Sequence, residues 1–412
     1  MGRATPVPAW HRFRPLEACI GVPWGEDPFA PPLPESRGRT SRQAFESAVL
    51  TALQRPPCLV AFSGGRDSST VLGVACRVAR TQGLALPIAI THRFPGAIAT
   101  HESEWQELVM RHLGSEDWVR LEWTDELDLL GPFGQRVLRR HGPLMPFNAH
   151  FFEPLLERAR GGALLTGAGG DEIFGPTDRP ILSRLLFRRG RPGIRRLPAL
   201  GRELAPRRVR IRAAARRLPF REFQWLREEV RERLVRDYAA HAAQPLRWDD
   251  SVRRMWRSRY LQCALAAHRA LGADHDVALT DPFCDPLVLS TYASTHGAYG
   301  PGRETALSAL AGDVLPGPLL SRRTKAGFDE PFFNRHSRSF VGEWGGRGVD
   351  EQLVDIEALR AEWRLDPPAA NSYTLMQHAW LGERDGSTDV GTHSEQREAV
   401  PTPTRSVRSP AA

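Results

Sequence analysis

The stretch LVAFSGGRDSSTVL, residues 59–72, constrains the fold more than any other part of the sequence. The apolar run at 58–62 is typical of a buried strand, and the residues from about Ser68 to Gly83 have the spacing of a helix. Two glycines and several polar side chains separate the two. A strand that passes through a tight turn into a helix is the start of a crossover, which parallel strands require.

The same alternation continues along the chain. We expect Ser41 to cap the first helix, and Gly83 to end the helix that follows the stretch. Strands alternating with helices predict an α/β fold, a parallel sheet with helices on both faces. Ligands of such sheets bind at the carboxyl ends of strands, where both glycine-rich stretches, 63–67 and 167–170, lie. Further strands are predicted at 86–92, 118–123 and 163–166, and helices at 41–54, 101–114 and 147–160.

Composition divides the chain into five regions. The second half has a mainly helical pattern, continuous from Phe223 to about Tyr292. Residues 179–217 contain fourteen arginines and one acid, and this segment is either a binding surface or a solvated face. We expect an extended N-terminal arm at 1–40, an α/β core at 41–178, a basic helical insertion at 179–222, a helical region completing the site at 223–385 and a disordered tail at 386–412.

Charge and cysteine usage narrow the functional classes. The net charge is +8, yet lysine occurs once, at Lys325. An ammonium group is more compact than a guanidinium group, so Lys325 is a candidate for a specific role, although chance also explains it. The five cysteines lack metal-ligand spacing, and no apolar run reaches the ~18 residues of a membrane helix. We therefore expect a cytoplasmic protein.

The polar residues of SGGRDSS, 63–69, suit a phosphate chain. Backbone N–H groups after a strand form an anion-binding nest, and the start of the next helix adds a positive dipole end. Ser63, Ser68 and Ser69 add hydroxyl donors. Asp67 would repel phosphate unless a cation lay between them, which predicts Mg²⁺. The lysine of a GxxxxGK[ST] loop is missing.

Four segments, in order, resemble those of a known family. SGGRDSS resembles the SGGxDS pyrophosphate loop of the ATP pyrophosphatase superfamily. TGAGGDEIFG (166–175), DPFCDPLVLS (281–290) and LPGPLLSRRTKAGFDEP (315–331) resemble segments of the synthetase domain of asparagine synthetases. The resemblance implies an adenine nucleotide alpha hydrolase-like fold. It also implies an ATP-dependent ligase that adenylates a carboxylate with Mg²⁺, then releases AMP and pyrophosphate when an amine attacks.

The resemblance also implies residue roles. Asp67, Asp171 and Lys325 would be catalytic, with both aspartates holding Mg²⁺ and Lys325 neutralising phosphate charge. Thr91 and Gly167 would contact adenosine, and Glu172 is expected to be structural. The residues expected to hold pyrophosphate are Ser63, Gly64, Gly65, Asp67, Ser68 and Ser69.

Two differences from the sequences of asparagine synthetases concern the amine that accepts the activated carboxylate. Ala168 replaces the glutamate that the family uses with ammonia, and Gly2 stands where the glutaminase cysteine would be, so we expect no glutaminase domain. The GGD form at 169–171 and Pro176 resemble lasso-peptide macrolactam synthetases. Those enzymes adenylate an Asp or Glu side chain of a precursor peptide, and the N-terminal amine of that peptide then attacks.

Several alternatives stay open. His150, Glu102 and Asp281 are candidate bases for the amine, each also explained by a structural role. The expected partner is a peptide or small carboxylate with an amine acceptor, and a separate leader-binding or peptidase partner is conceivable. We expect neither nucleic acid nor membrane as a partner. The alternatives are an asparagine synthetase-type enzyme using external ammonia, a tRNA-modifying ATP pyrophosphatase with RNA at 179–217, and a non-catalytic relative.

Overall fold

The protein is described from a computed structural model. The structure describes residues 7–174, 205–206, 208–209, 212, 223–242, 245, 247–322, 324 and 326–385. Most of the basic segment 179–222 and the predicted tail 386–412 lie outside the described residues, as does Lys325.

Five parallel strands form one sheet, which confirms the predicted α/β fold. Their order is β3-β2-β1-β4-β5, with Leu59 of β1 opposite Ile88 of β2 and Leu164 of β4. The chain moves outward from β1 in one direction to β2 and β3, and in the other to β4 and β5. The switch in direction therefore lies at β1 and β4, and ligands of open α/β sheets bind there. The strands are β1 (Cys58–Ala61), β2 (Ile88–Arg93), β3 (Trp118–Glu122), β4 (Ala163–Leu165) and β5 (Ala278–Thr280).

Helices surround the sheet and make up most of the C-terminal region, as predicted. Within the described residues, no helix is long and apolar enough to cross a membrane. The helices are α1 (Pro15–Ile20), α2 (Ser41–Leu53), α3 (Arg66–Gln82), α4 (Ser103–Leu113), α5 (Pro132–His141), α6 (Glu153–Arg158), α7 (Gly170–Phe174), α8 (Glu228–Ala242), α9 (Trp248–Trp256), α10 (Arg259–Asp274), α11 (Pro286–His296), α12 (Arg303–Ala311), α13 (Gly317–Leu320), α14 (Asp329–Phe332), α15 (Arg335–Glu343), α16 (Ile356–Trp363) and α17 (Tyr373–Asp385).

Both faces of the sheet are covered because successive strand residues point to opposite sides. Val60 and Leu165 lie in a core with residues of α2, α3 and α4. Leu59 and Leu164 lie in a second core with residues of α5, α6 and α10. A third core joins α1 to α15, α16 and α17, and it contains the fully buried Trp225.

Some local predictions were wrong. Thr40, not Ser41, caps α2, because its hydroxyl accepts from the Gln43 N–H while the Gln43 side chain accepts from the Thr40 N–H. The helix at 147–160 is split into a 3-10 turn at Ala149–Phe152 and the short α6. β5 lies inside a stretch predicted to be helical, and its three residues are a strand because they pair with β4.

The N-terminal segment contains more structure than an extended arm. Pro15–Ile20 form α1, and Glu17 is 0% exposed. Glu17 accepts two hydrogen bonds from Arg259 at the start of α10, of 3.0 and 2.9 Å. This buried ion pair attaches the segment to the helix that leads into β5.

Candidate functional site

The two glycine-rich loops touch at the carboxyl ends of β1 and β4. A Cβ atom on Gly167 would lie 2.8 Å from the backbone nitrogen of Ser68, and one on Gly170 would lie 2.5 Å from Cγ of Asp67. Both distances are shorter than real Cβ contacts, so a side chain at Gly167 would displace backbone and one at Gly170 would displace the Asp67 carboxyl group. The sequence thus permits the loops to approach closely, and this approach places Asp67 beside the start of α7.

Hydrogen bonds within the β1–α3 loop orient its hydroxyl groups. The Ser68 hydroxyl accepts from the Ser63 N–H at 3.2 Å, and the Gly65 N–H donates to the Ser63 hydroxyl at 3.3 Å. Gly64 has φ +85°, a conformation that favours glycine. Ser69 is fully buried, behind the loop surface. Ser63, Gly65 and Ser68 line the cleft at the end of β1, whereas Ser69 does not.

A cleft of about 390 Å³, lined by many polar and charged residues, lies above these loops. It adjoins a smaller, aromatic-lined pocket of about 230 Å³, and Ala61, Ser63, Phe152 and Phe328 line both. Most of the residues expected to bind nucleotide meet here. The cleft is lined from the first loop by Ser63, Gly65, Arg66, Asp67 and Ser68, from the second by Thr166, Gly167, Ala168 and Asp171, and from other segments by Glu102, Arg303, Arg322, Thr324 and Ala326.

Arg303, the first residue of α12, joins the two expected metal ligands. Its guanidinium donates to Asp67 through one nitrogen and to Asp171 through another. Burial, the largest influence, raises the pKa of Asp67, while the charge of Arg303 acts in the opposite direction. Oδ1 of Asp67 is buried and has no hydrogen-bond partner in the structure. The two carboxylates thus share one cation, and Asp67 retains an unsatisfied acceptor.

A second arginine fixes the outer side of the first loop. Arg322 is buried, and its guanidinium pairs with both oxygens of Glu102. It also donates to the Gly64 carbonyl at 3.3 Å and lies over the ring of Trp105, 4.8 Å from its centroid. From α4, Gln106 donates to the Ser63 carbonyl at 3.0 Å. The loop is therefore attached to α4 and to the segment after α13.

Three of the residues expected to contact nucleotide, Gly64, Ser69 and Thr91, line neither cavity. Thr91 lies on the face of β2 that points away from them. Its hydroxyl donates to the Phe62 carbonyl at 2.6 Å and accepts from the indole of Trp118. Its neighbours Ile90 and His92, on the opposite face of β2, line the aromatic pocket instead. Because side chains alternate along a strand, Ile90 and His92, rather than Thr91, face the aromatic pocket.

The three candidate bases all have partners. His150 is buried and donates through Nε2 to the Leu127 carbonyl at 3.0 Å, and burial lowers its pKa to about 4. Asp281 accepts from the Thr166 hydroxyl and contacts Nδ1 of His268 at 2.7 Å. Glu102 is held by Arg322 as described above. These contacts favour structural roles for all three.

Sequence reasoning missed Arg303 and Arg322. In a chain that uses arginine for nearly every cation, one more arginine carries no signal of its own. Arg303 follows the residues GPG, and Arg322 stands next to the segment that resembles the family's RxKxGF. These positions were the hints that the sequence offered. Lys325 itself lies outside the described residues, while Thr324 and Ala326 line the cleft.

A comparison of the sequence with known protein families shows what kind of protein carries this site. Residues 40–382 match the asparagine synthase family. The chain belongs to that family. The matched range includes the whole sheet, both loops and Arg303. Because it belongs to the asparagine synthase family, the protein is, at a general level, an ATP-dependent amide-forming ligase. Among curated proteins, none matches the chain.

Proposed function

We propose that the protein adenylates a carboxylate with Mg²⁺ and ATP and joins it to an amine, with a peptide of the lasso-precursor type as substrate. The observation that carries this proposal is the meeting of Asp67, Asp171 and the two glycine-rich loops in one cleft, beside an aromatic pocket.

The two cavities suit the two ends of ATP. The start of α3 and the donors of Ser63, Gly65 and Ser68 would bind the phosphates, with Arg66 and Arg303 supplying positive charge. The adenine ring would enter the aromatic pocket, against Phe152 and His92. His92 is fixed there as a neutral ring, because Nε2 donates to the Phe151 carbonyl and Nδ1 accepts from the Trp123 indole.

The donor set is compatible with Mg²⁺. Among the described residues, no group of three or more His, Cys, Asp or Glu side chains forms a metal cluster. Mg²⁺ is usually held by one or two carboxylates and completed by substrate phosphates and water, and Asp67 and Asp171 are two such carboxylates. When bound, the ion would offset phosphate charge as pyrophosphate departs.

The reaction has two steps. A carboxylate oxygen of the substrate attacks the α-phosphorus of ATP, the bond to the β-phosphate bridging oxygen breaks, and pyrophosphate leaves. A neutral amine then attacks the acyl carbon, the bond from that carbon to the AMP oxygen breaks, and the amine loses a proton. The residues of the cleft would orient the phosphates and stabilise the negative charge that develops on them.

Ala168 supports an acceptor other than ammonia. It lines the cleft, and its N–H donates to the Thr166 hydroxyl at 3.1 Å. No carboxylate is available at that position to handle free ammonia. A substrate that carries its own amine, such as the N-terminus of a peptide, does not need one there.

The test is ATP–pyrophosphate exchange with defined carboxylates. We expect exchange with a peptide that contains Asp or Glu and a free N-terminus, and a product lighter than the peptide by one water. Asp67→Ala and Lys325→Arg should each abolish exchange, because the first removes a proposed Mg²⁺ ligand and the second replaces a compact charge. Full activity of Lys325→Arg, or ordinary rates of asparagine formation from aspartate and ammonia, would contradict the proposal.

A further inference from the structure

Arg303 stands where a cation is needed, yet it comes from neither glycine-rich loop. We propose that Arg303 acts as a built-in counter-ion, which neutralises Asp67 and Asp171 while the site lacks nucleotide and moves to the phosphate chain when Mg²⁺ and ATP enter. The second half of this proposal rests on the proposed function, since it assumes that Asp67 and Asp171 form the Mg²⁺ site of an ATP-dependent enzyme.

The geometry supports competition between Arg303 and a metal ion. Two different nitrogens of one guanidinium contact Oδ2 of Asp67 and Oδ1 of Asp171. A divalent ion placed between Oδ2 of Asp67 and Oδ1 of Asp171 would use the oxygens that Arg303 now contacts. The guanidinium and the ion would also repel each other at that separation, so each weakens binding of the other.

The charges in the cleft give Arg303 a second partner. Arg303 pairs with Asp67 and Asp171. Arg66 lines the same cleft and has no share in these two ion pairs. The two arginines carry like charges and repel each other across the cleft. A triphosphate would supply the negative charge for both, so Arg303 can leave the carboxylates without losing an ionic partner.

A purely structural role is the competing explanation. Arg303 begins α12, and its side chain is only 19% exposed, so it also attaches that helix to the two loops. A structural attachment predicts that removal of Arg303 lowers stability and leaves metal binding no better. A counter-ion predicts that removal improves metal binding, because two carboxylates lose their competitor.

The experiment measures Mn²⁺ binding to the nucleotide-free protein by electron paramagnetic resonance. We expect Arg303→Gln to bind Mn²⁺ about ten-fold more tightly than the parent protein, a difference of about 1.4 kcal/mol in binding free energy. Adding Asp67→Asn to Arg303→Gln should abolish the gain. Arg247→Gln is the matched control, since Arg247 also contacts two aspartates, Asp249 and Asp250, but does not line the cleft. It should leave Mn²⁺ affinity unchanged.

The second measurement is ATP affinity. Arg303→Gln should bind ATP about ten-fold more weakly with Mg²⁺ present, because one phosphate contact is lost. If Arg303→Gln does not fold, Arg303→Lys keeps the charge but cannot bridge two carboxylates, and it should show a smaller gain in Mn²⁺ affinity. Equal Mn²⁺ affinity of the parent and the folded variant would overturn the proposal. Because Mn²⁺ binding needs no nucleotide or ligation, its result is separate from failure of the proposed function.

Discussion

At the scale of single residues, burial decides the charge state of several histidines. Burial lowers the pKa of His150 to about 4, and the pKa values of His92 and His378 shift in the same direction to about the same value. A group with a lowered pKa binds fewer protons in the folded state than in the unfolded state. Its contribution to stability is therefore complete above pH 6.5 and is lost as the pH falls towards 4.

His150→Gln tests this dependence. Gln keeps a donor for the Leu127 carbonyl but does not titrate, so the variant should lose less stability than the parent between pH 6.5 and 4. One histidine with this shift accounts for about 3 kcal/mol over that range. The measurement is the denaturant midpoint at several pH values. His112→Gln, at an exposed site on α4, is the control. Equal slopes for His150→Gln and the parent would contradict the argument.

Residue-scale reasoning from sequence succeeded where chemistry and local geometry agree. Gly167 and Asp171 do lie in one cleft with Asp67, because the carboxyl ends of adjacent parallel strands meet. Thr91 lies outside both cavities, since the face of a strand depends on register, which a short apolar run does not determine. Sequence reasoning missed Arg303, because the partners of a long cationic side chain come from distant segments that only the tertiary fold brings together.

At the scale of elements, α4 controls the shape of the first loop. Glu102 precedes α4 and pairs with the buried Arg322, which also donates to the Gly64 carbonyl. Glu102→Gln would leave Arg322 without a charged partner, at a cost to stability of about 3–5 kcal/mol. We expect the looser loop to raise KM for ATP in exchange assays more than it lowers kcat.

The pH profile of Glu102→Gln distinguishes a role in holding the loop from a role as the base that deprotonates the amine. If Glu102 only holds the loop, KM for ATP rises and the acid limb of the pH–rate profile of amide formation is retained. If Glu102 is the base, that limb is lost. Glu102→Asp keeps the charge and should recover part of the ATP affinity. Glu107→Gln, also on α4 but outside the cleft lining, is the matched control and should change neither quantity.

Elements were predictable in proportion to their length and period. α3 and α4 have clear apolar faces and glycine ends, and the structure confirms both, with α3 beginning two residues earlier than expected. β5 was missed because three residues have no detectable period, and their pairing with β4 makes them a strand. α1 was missed for the same reason, since six residues are too few for a periodic signal.

At the scale of the whole molecule, the sheet and the C-terminal helices form separate cores that α1 and α10 connect. Residues of α1 lie in the core of the C-terminal helices, and residues of α10 lie against the sheet. The class of fold was predictable because alternation of strands and helices is a repeated pattern. The way the cores are joined was not, because it involves long-range contacts such as the buried ion pair of Glu17 and Arg259, 242 positions apart.

That ion pair makes a prediction about the whole molecule. Arg259→Met removes the buried partner of Glu17, which is 0% exposed and then keeps only the exposed Arg14 at 3.9 Å, and the free energy of unfolding should fall by about 3 kcal/mol. Arg257→Met is the matched control, because Arg257 pairs with Glu26 at an exposed site, where such pairs contribute about 0–1 kcal/mol. The measurement is the thermal midpoint of each variant at one fixed scan rate. Adding Glu17→Gln to Arg259→Met should restore part of the loss, since the remaining buried side chain is then neutral. Similar midpoints for the two single variants would mean that the N-terminal segment is held by its apolar contacts with the C-terminal core instead.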